Sequence, residues 1–301
     1  MQKGLVRSFV KPSPFAYHRA RTVDEAVSML ADHGDDGKVL AGGQSLVPLM
    51  SMRLAAPSNL IDINQVTGLD TVEVTTSSVR VGALARHSKV ERDEAAYDAI
   101  PLLRQGLLNV AHPTIRNRGT TVGSLVHADP SAEMPAVLCL LDGVMELVSA
   151  VGAREVAAED FFIGPMESAL RPGELAVAAR FTRPGANSGS AFVELARRHG
   201  DYAMCGVGAV VTVDNDNSLV SGRVALISVG LGPVLVYVNA AINGSGGGFD
   251  AASLRELVDD AIDPETDIHA TEEYRRHLAH VLTARVLDEA RGHAVTRGGA
   301  R

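Results

Sequence analysis

The chain is short of cysteine, of positive charge and of long apolar runs. Cys139 and Cys205 are its whole thiol complement in 301 residues. Two thiols exclude a disulfide scaffold, a four-cysteine zinc site and an iron–sulfur cluster held by this chain alone. Any redox chemistry therefore needs an organic carrier, or a metal in another chain. The 28 Lys+Arg against 36 Asp+Glu leave a net charge of −8. That balance argues against a general binder of nucleic acid or anionic membrane, which needs a basic face. The longest apolar stretch, Val224 to Val238, is broken by Ser228, Gly230, Gly232 and Pro233. A membrane helix takes roughly 20 apolar residues, so this stretch reads as one or two buried strands around a Gly-Pro turn. Met1 to Phe9 hold no apolar h-region, so no signal peptide is expected. The cytoplasm is the expected compartment. Tryptophan is absent.

What is present is the composition of a folded protein, 46% hydrophobic and 21% charged, at a length for two or three domains. Thr22 can cap a helix whose Val23, Ala26, Val27 and Leu30 share a face, with Glu25 completing the cap signal. Lys38–Leu40 and Leu60–Ile63 read as short strands, and Leu46–Met52 as a short helix with Pro48 in its first turn. Thr71 to Val81 alternates β-branched residues around a Ser77-Ser78 turn. Ser88–Asp98 and Pro101–Asn109 read as helices, Arg116–Val126 as irregular, Met134–Leu141 as a buried helix, and Val144–Val148 and Glu174–Phe181 as strands. Pro184 to Ser190 has the composition of a linker. Strands are expected at 191–196, 205–213 and 223–229, then helices at 251–261 and 272–291. Gly244 to Gly248 reads as a flexible loop, and His293 to Arg301 as a frayed tail.

Two glycine-rich loops carry the chemistry. Ala41-Gly42-Gly43-Gln44-Ser45-Leu46 follows a strand and precedes a helix. Successive backbone N–H groups there can form an anion nest, and glycines let the backbone approach a pyrophosphate. The spacing is neither a dinucleotide-fold fingerprint nor a Walker loop, and taken alone it reads first as a tight turn with an ordinary cap. The second loop, Arg116 to Leu125, continues to Glu133. Thr120 and Ser124 can donate to a phosphate; Asp129 and Glu133 can accept from hydroxyls or a ring N–H. The alternative is a polar surface loop turned by Asp129-Pro130. Arg116 and Arg118 face either phosphates, an acidic partner or solvent, and Arg275-Arg276 are expected on a wet helix face. His112 and His127 read as structural, without a third ligand for a metal. The two cysteines read as small buried hydrophobes. No Gly-x-Ser-x-Gly elbow is present, which lowers an α/β-hydrolase reading.

Taken in order, Ala41–Leu46, Leu60-Ile61-Asp62-Ile63-Asn64, Arg116–Thr120, His127-Ala128-Asp129-Pro130, Arg198–Ala203 and Ala270–Ala279 resemble the FAD-binding medium subunit of the molybdenum hydroxylases. That family includes aerobic carbon monoxide dehydrogenase and the xanthine dehydrogenase group. The resemblance implies an α+β fold: a PCMH-type FAD-binding domain at 1–183, with two α/β subdomains at about 1–64 and 65–183. A C-terminal domain at 190–292, a small antiparallel sheet with helices, and a tail at 293–301 would follow. It implies FAD in this chain, with Ala41, Gly42, Gly43, Gln44, Ser45 and Leu46 at the pyrophosphate. Thr120, Thr121, Gly123 and Ser124 would form the second phosphate and ribityl loop. Asp129 and Glu133 would meet the ribityl chain or ring, and Tyr202 would lie near the isoalloxazine. The molybdopterin cofactor and [2Fe–2S] clusters would sit in a large and a small partner subunit, in a dimer of heterotrimers. Partners could bring the chain to the inner face of the membrane. Electrons would reach an external acceptor through the flavin; the substrate would be carbon monoxide, an N-heterocycle or an aldehyde, oxidised elsewhere. Two departures stand out. Val122 replaces one of two adjacent glycines found in many relatives, and Phe192–Ala196 lacks the lysine that some relatives bring to the flavin. A free-standing FAD oxidoreductase and a non-catalytic assembly subunit that has lost FAD are the alternatives.

Overall fold

The computed structural model describes residues 11–244 and 247–299. The N-terminal stretch and part of the Gly244–Gly248 loop lie outside them. Three of the four sheets among the described residues order the chain. Ala16–Arg19, Asn59–Asp62 and Gly37–Leu40 form a parallel sheet with Asn59–Asp62 in the middle. Parallel neighbours need a crossover: Leu46–Ser51 lies on the connection from Gly37–Leu40 to Asn59–Asp62, while the helix Val23–His33 joins the two edge strands. Thr22 accepts the Glu25 N–H at 3.1 Å, while the Glu25 carboxylate accepts the Arg21 N–H at 2.7 Å. The sequence therefore starts this helix by a reciprocal cap, and Ala26, Val27 and Leu30 bury its inner face.

The second sheet is antiparallel, in the order 72–74, 78–82, 175–182, 144–149, 152–157. The third is an antiparallel meander of Ser188–Ala196, Ala203–Val213, Leu219–Ile227 and Val234–Tyr237. The interrupted apolar run is thus two strands, as its Gly-Pro punctuation required.

The meander divides two cores by its alternation. Ala191, Cys205, Val207 and Val211 face the helix Glu272–Gly299. Phe192, Ala203, Val210 and Ala225 face the other way, into the core of the first 181 residues. The helix Glu133–Leu140, apolar on every side, packs on that second face with Met134 to Leu140 all buried. A helix hydrophobic all round belongs inside. Both cysteines are buried hydrophobes, and burial pushes each thiol up to about 12.

Several expectations are corrected. The expected tail from His293 continues the last helix to Gly299. His293 Nδ1 donates to the Ser190 carbonyl at 2.7 Å, Ala294 is fully buried, and Arg297 reaches the Asp98 carbonyl at 2.7 Å. Arg275 is buried, not wet. It bonds the carbonyls of Met204 and Ser228 and the Asp267 carboxylate, and so ties three segments together. Residues 88–98 are not one helix: Asp93 ends His87–Arg92 and caps Glu94–Ala99. Arg116–Val126 is not irregular, because Thr120 caps a helix over Thr121–His127 through the Gly123 N–H. The strand begins at Ser188, so the extended connection is shorter than its composition suggested.

Where that strand crosses the last helix, a Cβ on Gly189 would stand 2.1 Å from the Ala290 carbonyl oxygen and 2.2 Å from the Ala294 nitrogen. Backbone meets backbone there, so neither side can yield. Gly189→Ala is expected to cost about 2 kcal/mol or more, seen as a lowered urea midpoint; an unchanged midpoint would refute this packing.

Candidate functional site

The two glycine loops touch. A Cβ on Gly42 would lie 2.5 Å from the Arg118 carbonyl oxygen and 2.8 Å from the Gly119 Cα. Only a residue without a side chain permits this approach. Polar contacts pin it. Asn64 Nδ2 donates to the Ala41 carbonyl at 2.9 Å and to Asp62 Oδ1 at 2.6 Å. Arg86 then bridges the loops: Nη2 donates to Asn64 Oδ1 at 2.7 Å, and Nη1 donates to the Arg118 carbonyl. Burial alone would raise the Asp62 pKa, but hydrogen bonds from Tyr17 and Asn64 hold it below the ordinary carboxylate value.

Beside this junction opens a cavity of about 550 Å³, within the range of cofactor and small-molecule sites. The N–H groups of residues 42–46 make no hydrogen bond among the described residues, though Gly43 and Ser45 carbonyls already accept from the following turn. Ala41, Gly42, Gly43, Gln44, Ser45 and Leu46 all line the cavity, as do Thr120, Gly123, Ser124, Asp129, Glu133 and Tyr202. Thr121 does not. Its buried hydroxyl turns away to His87 Nδ1 at 3.2 Å. Val122, the departure in the second loop, also lines the cavity and is 2% exposed. Its side chain therefore fills wall rather than disrupting the loop.

Asp129 is held by the Ser131 N–H at 2.9 Å, after a left-handed Ala128 ends the helix. Tyr202 stands at the mouth, 68% exposed, and burial of its hydroxyl near Asp129 and Glu133 raises its pKa. Burial, with the Glu194 and Asp129 charges adding, pushes Glu133 up to about 8. Of the two arginines singled out in the second loop, neither lines the cavity. Arg116 is buried against the Glu91 carboxylate at 2.7 Å and the Val110 and Ala111 carbonyls, and Arg118 is exposed. His127 lines the cavity, with its pKa lowered by burial, whereas His112 is exposed.

Sequence reasoning missed His87, Lys38, Met166, Leu170 and Glu174, which complete the walls. They come from separate elements, and no local spacing marks them. No group of three or more metal-ligating side chains occurs among the described residues, and no helix among them is long and apolar enough to cross a membrane.

Residues 13–181 match the FAD binding domain in molybdopterin dehydrogenase, and residues 190–290 match the CO dehydrogenase flavoprotein C-terminal domain. The chain belongs to this family of FAD-binding subunits. Within the family it is 36% identical to the 6-hydroxypseudooxynicotine dehydrogenase complex subunit alpha of Paenarthrobacter nicotinovorans, over 93% of this chain and 96% of that protein. It is also 36% identical to the caffeine dehydrogenase subunit beta of a Pseudomonas species, with the same coverage. Its fold superposes on a chain of the reconstituted CO dehydrogenase from Oligotropha carboxidovorans with a TM-score of 0.88. That structure is 31% identical, and the match covers 94% of this chain and 99% of that one. The family is one of oxidoreductase subunits, and its mixed helix–sheet fold is the one expected from the motifs.

His87 gives the cavity floor a pH signature. Burial, with Arg116 nearby, lowers its pKa from 6.5 to about 4. The fold keeps this imidazole neutral where the unfolded chain takes up a proton. Stability from this source is complete above pH 6.5 and is lost as pH falls toward 4, by up to about 3 kcal/mol. His87→Gln is expected to lose less stability than the parent between those limits in urea titrations; equal losses would refute the assignment.

Proposed function

We propose that the cavity holds one FAD and that the chain passes electrons from an iron–sulfur partner through it to an external acceptor. The observation that carries this reading is the junction of the two glycine loops, with free N–H groups on one side of a cavity of cofactor size. Bound there, the flavin supplies the redox-active ring, which this chain's own side chains cannot. The N–H groups of residues 42–46 meet the pyrophosphate, supported by Thr120 and Ser124 across the junction. Lys38, exposed at the cavity and without an ion pair among the described residues, adds a positive charge felt by His127. Asp129 and Glu133 face the ribityl chain or ring, and Tyr202 covers the ring at the mouth. Thr121 supports the loop from behind, through His87, rather than touching the cofactor.

The residues fit FAD in kind as well as in size. The anion end is built of backbone donors, which suit a diphosphate. The relatives are subunits of dehydrogenase complexes, which favours electron transfer over a free-standing oxidase. The molybdopterin and [2Fe–2S] centres belong to a large and a small partner subunit in this reading, and the assembly is a dimer of heterotrimers. The division of the chain into FAD-binding units at about 1–64 and 65–183 and a C-terminal unit from 190 is part of the same proposal. Two relatives are named for a nicotine derivative and for caffeine. An N-heterocycle is therefore the substrate class we assign to the complex, oxidised on the large partner.

The isolated full chain is expected to be yellow, with about one FAD per chain. A colourless chain would favour the assembly reading, and bleaching by substrate without partners would favour the free-standing oxidase. Gly42→Ala, which forces the loops apart, is expected to weaken FAD binding at least about tenfold in fluorescence titrations. Tyr202→Ala is expected to leave FAD content intact while shifting the flavin spectrum or its reoxidation rate. Unchanged spectra and rates would remove Tyr202 from the ring.

A further inference from the structure

His87 is 4% exposed, yet it lines the cavity. The second glycine loop holds it both by backbone and by ring. Its N–H donates to the Gly119 carbonyl at 3.0 Å. Its Nδ1 meets the Thr121 hydroxyl at 3.2 Å. The other edge of the ring lies over Gly119, where a Cβ would stand 2.9 Å from Cδ2 and 3.4 Å from Nε2. Gly42 packs against the same Gly119. The bare backbone at 119 therefore leaves room for the imidazole and sets its Nε2 edge beside the junction of the two loops.

Nε2 is the unused end of this ring. It has no hydrogen-bond partner among the described residues. Nor is it one of their fully buried unpartnered side-chain atoms, which are Glu194 Oε2, Arg275 Nε and Thr283 Oγ1. It therefore keeps surface open to the cavity that His87 lines. A ligand filling the cavity displaces any water that meets Nε2. It must then supply a partner or leave a polar atom unpaired. The partner required is an acceptor. Thr121 is fully buried, and Nδ1 is the one partner of its hydroxyl among the described residues. Were Nδ1 the donor, the hydroxyl proton would have no acceptor. Thr121 thus donates to Nδ1, and the proton of the neutral ring sits on Nε2. The ring is neutral because burial, with the Arg116 charge nearby, lowers its pKa to about 4.

We propose that His87 Nε2–H donates a hydrogen bond to the diphosphate of FAD, with Thr121 as the positioning residue that fixes the tautomer. The inference rests on the reading above, in which the FAD phosphates lie at the 42–46 loop. A diphosphate is the acceptor that the junction favours, because backbone N–H groups gather there and an ionised acceptor strengthens the bond. The ring adds one side-chain donor to those backbone donors. Being neutral, it brings no charge that changes near neutral pH. It binds and orients the cofactor and transfers no proton.

Imidazole nitrogen NMR of the full chain, freed of flavin and then reloaded with FAD, tests it. His87 is expected to carry its proton on Nε2 in both states. FAD is expected to shift that nitrogen and slow the exchange of its proton. His87→Phe removes the donor and is expected to weaken FAD binding at least about tenfold, with a shift in the phosphorus resonances of bound FAD. His87→Gln, which can place an N–H near the same point, is expected to recover most of the affinity. Thr121→Val is expected to leave the ring in a mixture of tautomers. A proton on Nδ1 in the parent chain would overturn the proposal. So would an Nε2 resonance unmoved by bound FAD, or phosphorus resonances unchanged in His87→Phe. The parent spectra need no variant, so a misfolded substitution leaves the test standing. A chain that takes up no FAD overturns the FAD reading itself, whereas one that takes up FAD without moving Nε2 overturns the role of His87 alone.

Discussion

The site depends on one steric fact: the backbone at Gly42 lies against the backbone at Arg118 and Gly119. These segments belong to different parts of the first domain and approach only because position 42 has no side chain. Glycine permits the contact but does not hold it. The holding is done by Asp62, Asn64 and Arg86, which convert the end of the central parallel strand into a clamp across both loops. The Leu60–Asn64 segment is therefore more than a strand. Its apolar residues Leu60, Ile61 and Ile63 are buried in or near the core, while Asp62 and Asn64 fix the polar rim. Once the clamp is closed, N–H groups at 42–46 and the capped turn at Thr120 face one cavity.

The other wall is made by a second constraint. The meander must bury both faces, one against the long C-terminal helix and one against Glu133–Leu140. Burying a large apolar side chain contributes roughly 1.5–3 kcal/mol, and Leu278, Leu282, Val286 and Leu287 line the first interface while Leu138 and Leu140 serve the second. This packing draws the start of the Glu133–Leu140 helix and the Tyr202 loop to the same cavity. The Ser228 N–H, on the loop after the third meander strand, bonds the Pro130 carbonyl at 2.9 Å and locks that arrangement. The C-terminal meander is thus part of the site's architecture as well as a cover.

Much of this was legible because it is local. The Thr22 cap, the Gly-Pro break at 230–233, the all-apolar 134–140 helix and the two glycine loops each carry their signal within a few residues. The readings that failed depended on distant partners. Arg275 looks like half of an exposed basic pair until the carbonyls of Met204 and Ser228 and the carboxylate of Asp267 are brought to it. The last turns of the final helix look like a tail until Ser190 and Asp98 supply acceptors for His293 and Arg297. Thr121 sits one residue from the cap, and helical geometry turns it to His87 instead of the cavity.

The chain's electrostatics follow from its scarcities. Both thiols are buried and held protonated, so neither is a thiolate nucleophile or ligand at neutral pH. Arginines near the site are spent on structure: buried Arg116 on Glu91, half-buried Arg86 on the loop clamp, buried Arg275 on the sheet and its following loop. Positive potential for an anion therefore comes mainly from backbone N–H groups, with Lys38 at the edge. Backbone dipoles have fixed charge and fixed position across the physiological range. Titratable groups line the same cavity, among them His87 against Gly119 at the loop junction and Asp129 and Glu133. In the proposed FAD complex, the anionic tail is therefore met by donors of fixed position rather than by side chains whose charge varies with pH.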